Sequence, residues 1–203
     1  MKNMKRSIAL VVAIALLIGC AAGGTMAWLT MKTAPVVNTF TTSDVSITLT
    51  ENTGAEYKMV PGKTITKDPK VTVEAGSEAC WLFVEVIENT NGGSYDFSDY
   101  LEYKVGPEWK EVTDGVYYLK VDAPGAFNII YYDADKDGAY DVGEENKVHV
   151  PDDVTKAMMT AVGDKYPTLS FTAYAIQQAG FDTLATDDAN AAAAWAQAET
   201  LNP

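Results

Sequence analysis

Residues 79–88, Ala-Cys-Trp-Leu-Phe-Val-Glu-Val-Ile-Glu, constrain the fold more than any other stretch of this chain. The run is rich in β-branched and aromatic residues, which suit a pleated strand better than a helix. In a strand, successive side chains point to opposite faces. Cys80, Leu82, Val84 and Val86 then share one face, and Trp81, Phe83 and Ile87 share the other. Both faces are apolar, so both need cover, and the expected place for such a strand is the middle of a sandwich.

The rest of the chain supplies shorter strands. In residues 40–51, Val45, Ile47 and Leu49 alternate with Asp44, Ser46, Thr48 and Thr50, the pattern of a half-buried strand. Further strands are expected over 70–74, 103–105, 109–112, 116–121, 127–132, 147–150 and 168–178. In the last of these, Leu169, Phe171, Ala173 and Ala175 share a face. Asn52-Thr53-Gly54, Pro61-Gly62 and Gly106-Pro107 are turn signals, and Asp114-Gly115 is a hairpin turn. Residues 97–101 read as a helical turn and 152–162 as a short helix. Residues 187–199, rich in alanine with acidic residues in the first turn, read as a terminal helix docked through Trp195. Roughly eight to ten strands separated by frequent turns predict an all-β fold. The specific expectation is a jelly-roll-like antiparallel β-sandwich with short helical insertions and a short C-terminal helix. No internal repeat or linker interrupts residues 44–203, so one domain is expected there.

The N-terminus has a different character. Lys2, Lys5 and Arg6 precede an apolar run over residues 8–18, shorter than the about 20 residues a membrane-spanning helix needs. Gly19, Gly23 and Gly24 break it, and Thr25 and Ala27 put small residues at the −3 and −1 positions of a cut. Residues 1–27 therefore read as a secretory signal peptide, with a retained anchor as the plainer alternative. Leu17-Ile18-Gly19-Cys20 also fits a lipobox, in which Cys20 would be acylated and hold the chain to a membrane. Residues 28–43, with Pro35, read as an extended N-terminal arm.

Cleavage would leave 176 residues, ample for a core. The leader holds three of the 15 Lys+Arg and none of the 28 Asp+Glu, so the formal charge of −13 becomes −16 after its removal. Such acidity argues against nucleic acid or an anionic membrane as a partner and makes divalent cations natural ligands. Cys80 would be the one remaining cysteine, excluding an intramolecular disulfide. Its place in an apolar strand marks it as a small buried hydrophobe rather than a reactive thiol.

Several stretches carry a family resemblance. Gly23-Gly24-Thr25-Met26-Ala27-Trp28-Leu29-Thr30, followed by Val36-Val37-Asn38-Thr39-Phe40, resembles the export and maturation junction of the TasA/camelysin family. Lys58-Met59-Val60-Pro61-Gly62-Lys63-Thr64-Ile65-Thr66-Lys67-Asp68-Pro69 resembles that family's segment before a strand. Ala173-Tyr174-Ala175-Ile176-Gln177, with Ala194-Trp195, resembles its C-terminal strand and helix. Residues 90–165 lie outside the resemblance. Members are secreted proteins of Gram-positive bacteria, processed by an ER-type signal peptidase. The resemblance implies a secreted, extracellular or cell-surface structural protein of the biofilm matrix. Its subunits would self-associate into fibres by strand addition through the arm, with Trp28, Leu29, Val36, Val37 and Phe40 docking on the next subunit. The plainer alternative folds the arm back onto its own domain. A second reading is a monomeric cell-surface binding module, lipidated at Cys20. A third, also suggested by the family, is a camelysin-like metallopeptidase.

The sharpest local motif lies outside the resemblance. Asp133-Ala134-Asp135-Lys136-Asp137-Gly138-Ala139-Tyr140-Asp141-Val142-Gly143-Glu144 satisfies the calcium-loop pattern D-x-[DN]-x-[DN]-G-x5-E throughout. Asp133, Asp135 and Asp137 can converge on one hard cation, Gly138 permits a sharp turn, and Ala139 can offer its carbonyl. Asp141 can bind directly or through water, and Glu144 can close the site with two oxygens. Calcium is the expected ion, and stiffening a loop rather than sensing is its expected role. The flanks depart from a helix-loop-helix unit, because residues 127–132 read as a strand and Gly143 interrupts any exiting helix. The competing reading is a solvated acidic hairpin tip whose Asp and Gly serve turn chemistry alone.

Signals for catalysis are poor, and the chain is expected not to be an enzyme. There is one histidine, His149, and no H-E-x-x-H, so a typical zinc peptidase site cannot be assembled. Paired carboxylates carry no information among 28 acidic residues. Tyr117-Tyr118 and Tyr131-Tyr132 each put one ring on each face of a strand; cross-strand packing is the simpler account, a sticky binding surface the other.

Overall fold

The computed structural model describes residues 44–54, 57–92, 94–140, 143–163 and 166–201. The expected signal peptide with Cys20, the arm over 28–43, and Asp141 lie outside the described residues. Eleven strands follow in chain order among those described. They are β1 (Ile47–Thr50), β2 (Thr64–Thr66), β3 (Lys70–Val73), β4 (Cys80–Asn89), β5 (Lys104–Val105) and β6 (Lys110–Thr113), then β7 (Val116–Val121), β8 (Gly125–Asn128), β9 (Ile130–Tyr131), β10 (Lys147–His149) and β11 (Thr168–Gln177). A 3-10 turn covers Phe97–Asp99, α1 covers Lys156–Val162 and α2 covers Asp187–Leu201. Every strand pair is antiparallel. The protein is all-β with two short helices.

The largest sheet has the order β11-β4-β7-β6. β4 is its spine: it pairs with β11 from Cys80↔Gln177 to Asn89↔Thr168, and with β7 from Cys80↔Val121 to Glu85↔Val116. β6 and β7 form the hairpin expected at Asp114-Gly115, with a register irregularity between Glu111 and Thr113. Gly115 has φ +71°, and a Cβ there would stand 3.1 Å from the Val86 carbonyl oxygen, so the turn needs glycine on both counts. A three-stranded sheet, β1-β3-β8, and two two-stranded sheets, β10-β2 and β5-β9, complete the set.

The two faces of β4 lie in two separate cores. Cys80, Leu82 and Val84 pack with Val121 of their own sheet and with Val71, Val73, Ile129 and Val148 from outside it. Trp81 and Phe83 pack with Val116, Tyr118, Ala191 and Ala194. The second face is therefore covered by α2, where the sequence suggested another sheet. Ala191, Ala194 and Ala198 line one side of that helix and are buried, and their small side chains let it approach the sheet closely. Trp195 docks as expected, its ring 5.3 Å from Phe83 and 5.2 Å from Tyr174 between centroids. The helix starts where the Ala189 N–H donates to Thr186 Oγ1 and Lys120 meets Asp187 at 3.0 Å.

Two expected strands change on folding. Residues 127–132 do not make one strand: the chain leaves β8, paired with β3, and enters β9, paired with β5. Ile129 and Ile130 are consecutive and both buried, which breaks the period of two and moves the chain between sheets. Ile87 is 44% exposed despite its apolar neighbours. The ladder with β7 ends at Glu85, so the end of β4 extends past its cover.

Candidate cation-binding loop and the adjoining cleft

The change of sheets at Ile129 places the acidic segment. The Tyr132 N–H donates to the Glu144 carbonyl and the Asn146 N–H to the Ile130 carbonyl, and Tyr131 bridges Glu145. Both ends of the segment are thus pinned to each other as a long hairpin tip. Tyr131 packs edge-on against Tyr140, and Tyr132 stacks on His149 at 4.6 Å with 11° between planes.

Within the tip, Asp133, Asp135 and Asp137 come together: one oxygen from each lies within 4.8 Å of the others. Asp133 is 5% exposed, the other two exposed. Asp133 Oδ2 accepts from Lys104 Nζ at 2.5 Å and from the Gly138 N–H at 3.0 Å. Gly138 has φ +84°, a left-handed conformation that turns this N–H back toward Asp133. Asp135 accepts from the Asp137 N–H at 3.3 Å, and Asp137 from the Ala139 N–H at 2.7 Å. These bonds arrest the turn and hold its carboxylates in place. The Lys104 ammonium beside Asp133 holds that carboxyl below the usual carboxylate range, and Asp133 raises the lysine in return.

The remaining expected ligands stand differently. Glu144 Oε1 accepts from the Ala134 N–H at 2.8 Å, so that carboxylate caps the start of the loop. Ala139 is seen here as a backbone donor, and Asp141 lies outside the described residues. Two residues the sequence did not single out matter here. Lys104 comes from β5, about thirty residues upstream, and no local pattern announces it. Glu145 accepts from the Gly143 N–H at 2.7 Å and from the Tyr140 hydroxyl at 3.4 Å, and backbone donors hold its carboxyl below the ordinary value.

Lys104 and Asp133 also border an open cleft of about 360 Å3, which Glu88, Glu102, Tyr103 and Tyr132 help to line. The Tyr103 hydroxyl donates to Glu88 at 2.7 Å, and burial pushes its phenol well above the ordinary value. Lys136 reaches Glu102 at 3.3 Å across the cleft's rim. His149 Nδ1 lies 3.1 Å from Thr64 Oγ1, so the ring that stacks on Tyr132 is also tied to β2. Cys80 is fully buried and its thiol is pushed up to about 11 by burial, the behaviour of a core residue. Of the tyrosine pairs, Tyr117 and Tyr118 pack into opposite cores, while Tyr131 and Tyr132 are both buried.

No described helix is long and apolar enough to cross a membrane. Comparison with protein-family models, with characterised proteins and with solved structures finds no match.

Proposed function

We propose that the chain is a secreted structural subunit of an extracellular matrix, assembling into fibres by strand addition, and that its sheets form a jelly-roll-type sandwich. The observation that carries the assembly reading is a pair of edges. β1 ends one sheet and β11 ends another, the two approach each other, and among the described residues no ladder joins them. An edge strand presents a row of N–H and C=O groups to any extended segment that arrives. The arm expected over 28–43 precedes β1 by three residues in the sequence and carries the apolar set Trp28, Leu29, Val36, Val37 and Phe40. The resemblance of residues 23–40 to the TasA/camelysin junction supports export through an ER-type signal peptidase and a mature chain starting at Trp28. Taken up by the β1 or β11 edge of the next subunit, the arm makes a head-to-tail contact that does not close and so propagates.

A structural rather than catalytic role fits the engaged state of His149, stacked on Tyr132 and bonded to Thr64. The sandwich reading rests on the core that Val71 and Val73 of one sheet share with Leu82 and Val84 of another. The test is electron microscopy of the secreted chain beside a chain lacking residues 28–43. Filaments in the first and dispersed particles in the second are expected. Filaments in both would remove the arm from the mechanism, and dispersed particles in both would remove the fibre role.

The cleft beside Lys104 favours a second reading, a monomeric surface module that holds a small polar ligand and is anchored through Cys20. Mass spectrometry of the exported N-terminus separates the two. A free Trp28 belongs to the subunit and an acylated Cys20 to the module.

A further inference from the structure

We propose that Asp133, Asp135 and Asp137 hold one calcium ion, and that the two oxygens of Asp133 divide the work between the ion and Lys104. This stands apart from the fibre reading, because it concerns the single folded chain.

Acidic residues gathered at a hairpin tip are common and do not by themselves imply an ion. The independent observation is Asp133 Oδ1. It belongs to a side chain that is 5% exposed, it is sealed from solvent, and it has no hydrogen-bond partner. A buried carboxylate oxygen in that state loses its hydration with nothing in exchange. Its twin Oδ2 already has two donors, Lys104 Nζ and the Gly138 N–H. Oδ1 is thus the oxygen available to an ion, and occupation need not break the pair with Lys104.

The spacing suits calcium. Two oxygens each about 2.4 Å from one ion cannot stand more than about 4.8 Å apart. One carboxylate oxygen from each of the three residues meets that limit mutually, at no more than 4.8 Å. The hydrogen bonds to Gly138, Asp137 and Ala139 fix the carboxylates before an ion arrives, so little ordering remains to be done on binding. Magnesium demands a near-octahedral set at about 2.0–2.1 Å and gives up its water reluctantly, which disfavours it where protein carboxylates must displace that water.

Isothermal titration of the full chain with calcium chloride at physiological salt, with magnesium chloride in parallel, tests the site. One calcium per chain is expected, with a dissociation constant on the order of 10⁻⁴ M, as in extracellular calcium modules, and at least tenfold weaker magnesium. Asp135→Ala and Asp137→Ala are the informative variants, because each removes the side-chain oxygen outright, both residues are exposed and neither carries the Lys104 pair. Each should weaken calcium at least tenfold while leaving the circular dichroism spectrum unchanged. Terbium luminescence excited through tyrosine, with Tyr140 in the loop itself, gives a second readout and should fall in both variants. Absence of calcium binding up to about 10 mM, beyond the range of the weakest extracellular modules, overturns the proposal. So does undiminished binding in both variants, which would put the ion elsewhere.

Discussion

β4 and the hairpin tip at Asp133 are built on opposite physics. Along β4, Cys80 to Val84 are fully buried, and what holds them is apolar contact with strands on one side and α2 on the other. Such stabilisation scales with the area removed from water and is largely indifferent to salt and ions. Among the tip's described residues, Tyr140 packs on Tyr131. The tip is held by carboxylates accepting backbone N–H groups and by Lys104, interactions that depend on protonation, ionic strength and bound cations. The loop after β1 is clasped in the same manner: Asp68 accepts from the backbone N–H groups of Asn52 and Thr53 and from the Thr53 hydroxyl. One part of the molecule should therefore answer to side-chain volume and the other to the composition of the solution.

The largest effect should come from the sheet. Phe83→Ala removes a fully buried ring that touches Trp195 and should cost about 3–5 kcal/mol in denaturant unfolding. Trp195→Ala, at a half-buried position, should cost less and loosen α2 first, as hydrogen exchange would report. A loss under about 1 kcal/mol from Phe83→Ala would break the comparison, since the sheet would then not rest on that face.

Next comes the ion. Calcium at a hundredfold excess over its dissociation constant should stabilise the wild type by about 2.7 kcal/mol in thermal unfolding, and Asp137→Ala should lose most of that gain. The Phe83→Ala protein, if folded, should still respond to calcium, because the two regions are independent.

Smaller again is the acid response. The Thr53 hydroxyl and nearby backbone N–H groups hold the Asp68 carboxyl below its ordinary value. Its folded value is thus below the unfolded one, so its contribution is complete above about pH 3.9 and is lost as pH falls through the lower folded value. Melting temperature followed down through this acid range should fall less steeply for Asp68→Asn than for the wild type. Equal slopes would show that the clasp does not titrate with folding. The smallest change should be Ile87→Thr, within about 0.5 kcal/mol, because that side chain is 44% exposed at the uncovered end of β4.

How much of this was legible in the sequence follows the same division. The alternation over 79–88 named both faces of β4 correctly from Cys80 to Val84, because period-two burial is a local property of the chain, but it also placed Ile87 on a covered face where that residue is exposed. Trp195 stood out as the one large ring on an alanine-rich helix, and it does dock. What covers the second face was not legible, since a strand records that it needs cover and not which element supplies it. The break at Ile129 was hidden because two adjacent isoleucines read as a continuous strand. At the tip, spacing alone assembled Asp133, Asp135 and Asp137. Lys104 could not be found from it, because the pairing of β5 with β9 brings that lysine in, and strand order leaves no local mark.

The central claim is strand addition at the β1 and β11 edges, and hydrogen exchange of the secreted chain before and after assembly addresses it most directly. The account predicts that amides of β1 or β11 facing away from their ladders gain protection in the assembled state, while those of β4 from Cys80 to Glu85, already flanked by ladders on both sides, do not change. Filaments that form with both edges as exchangeable as before would contradict it.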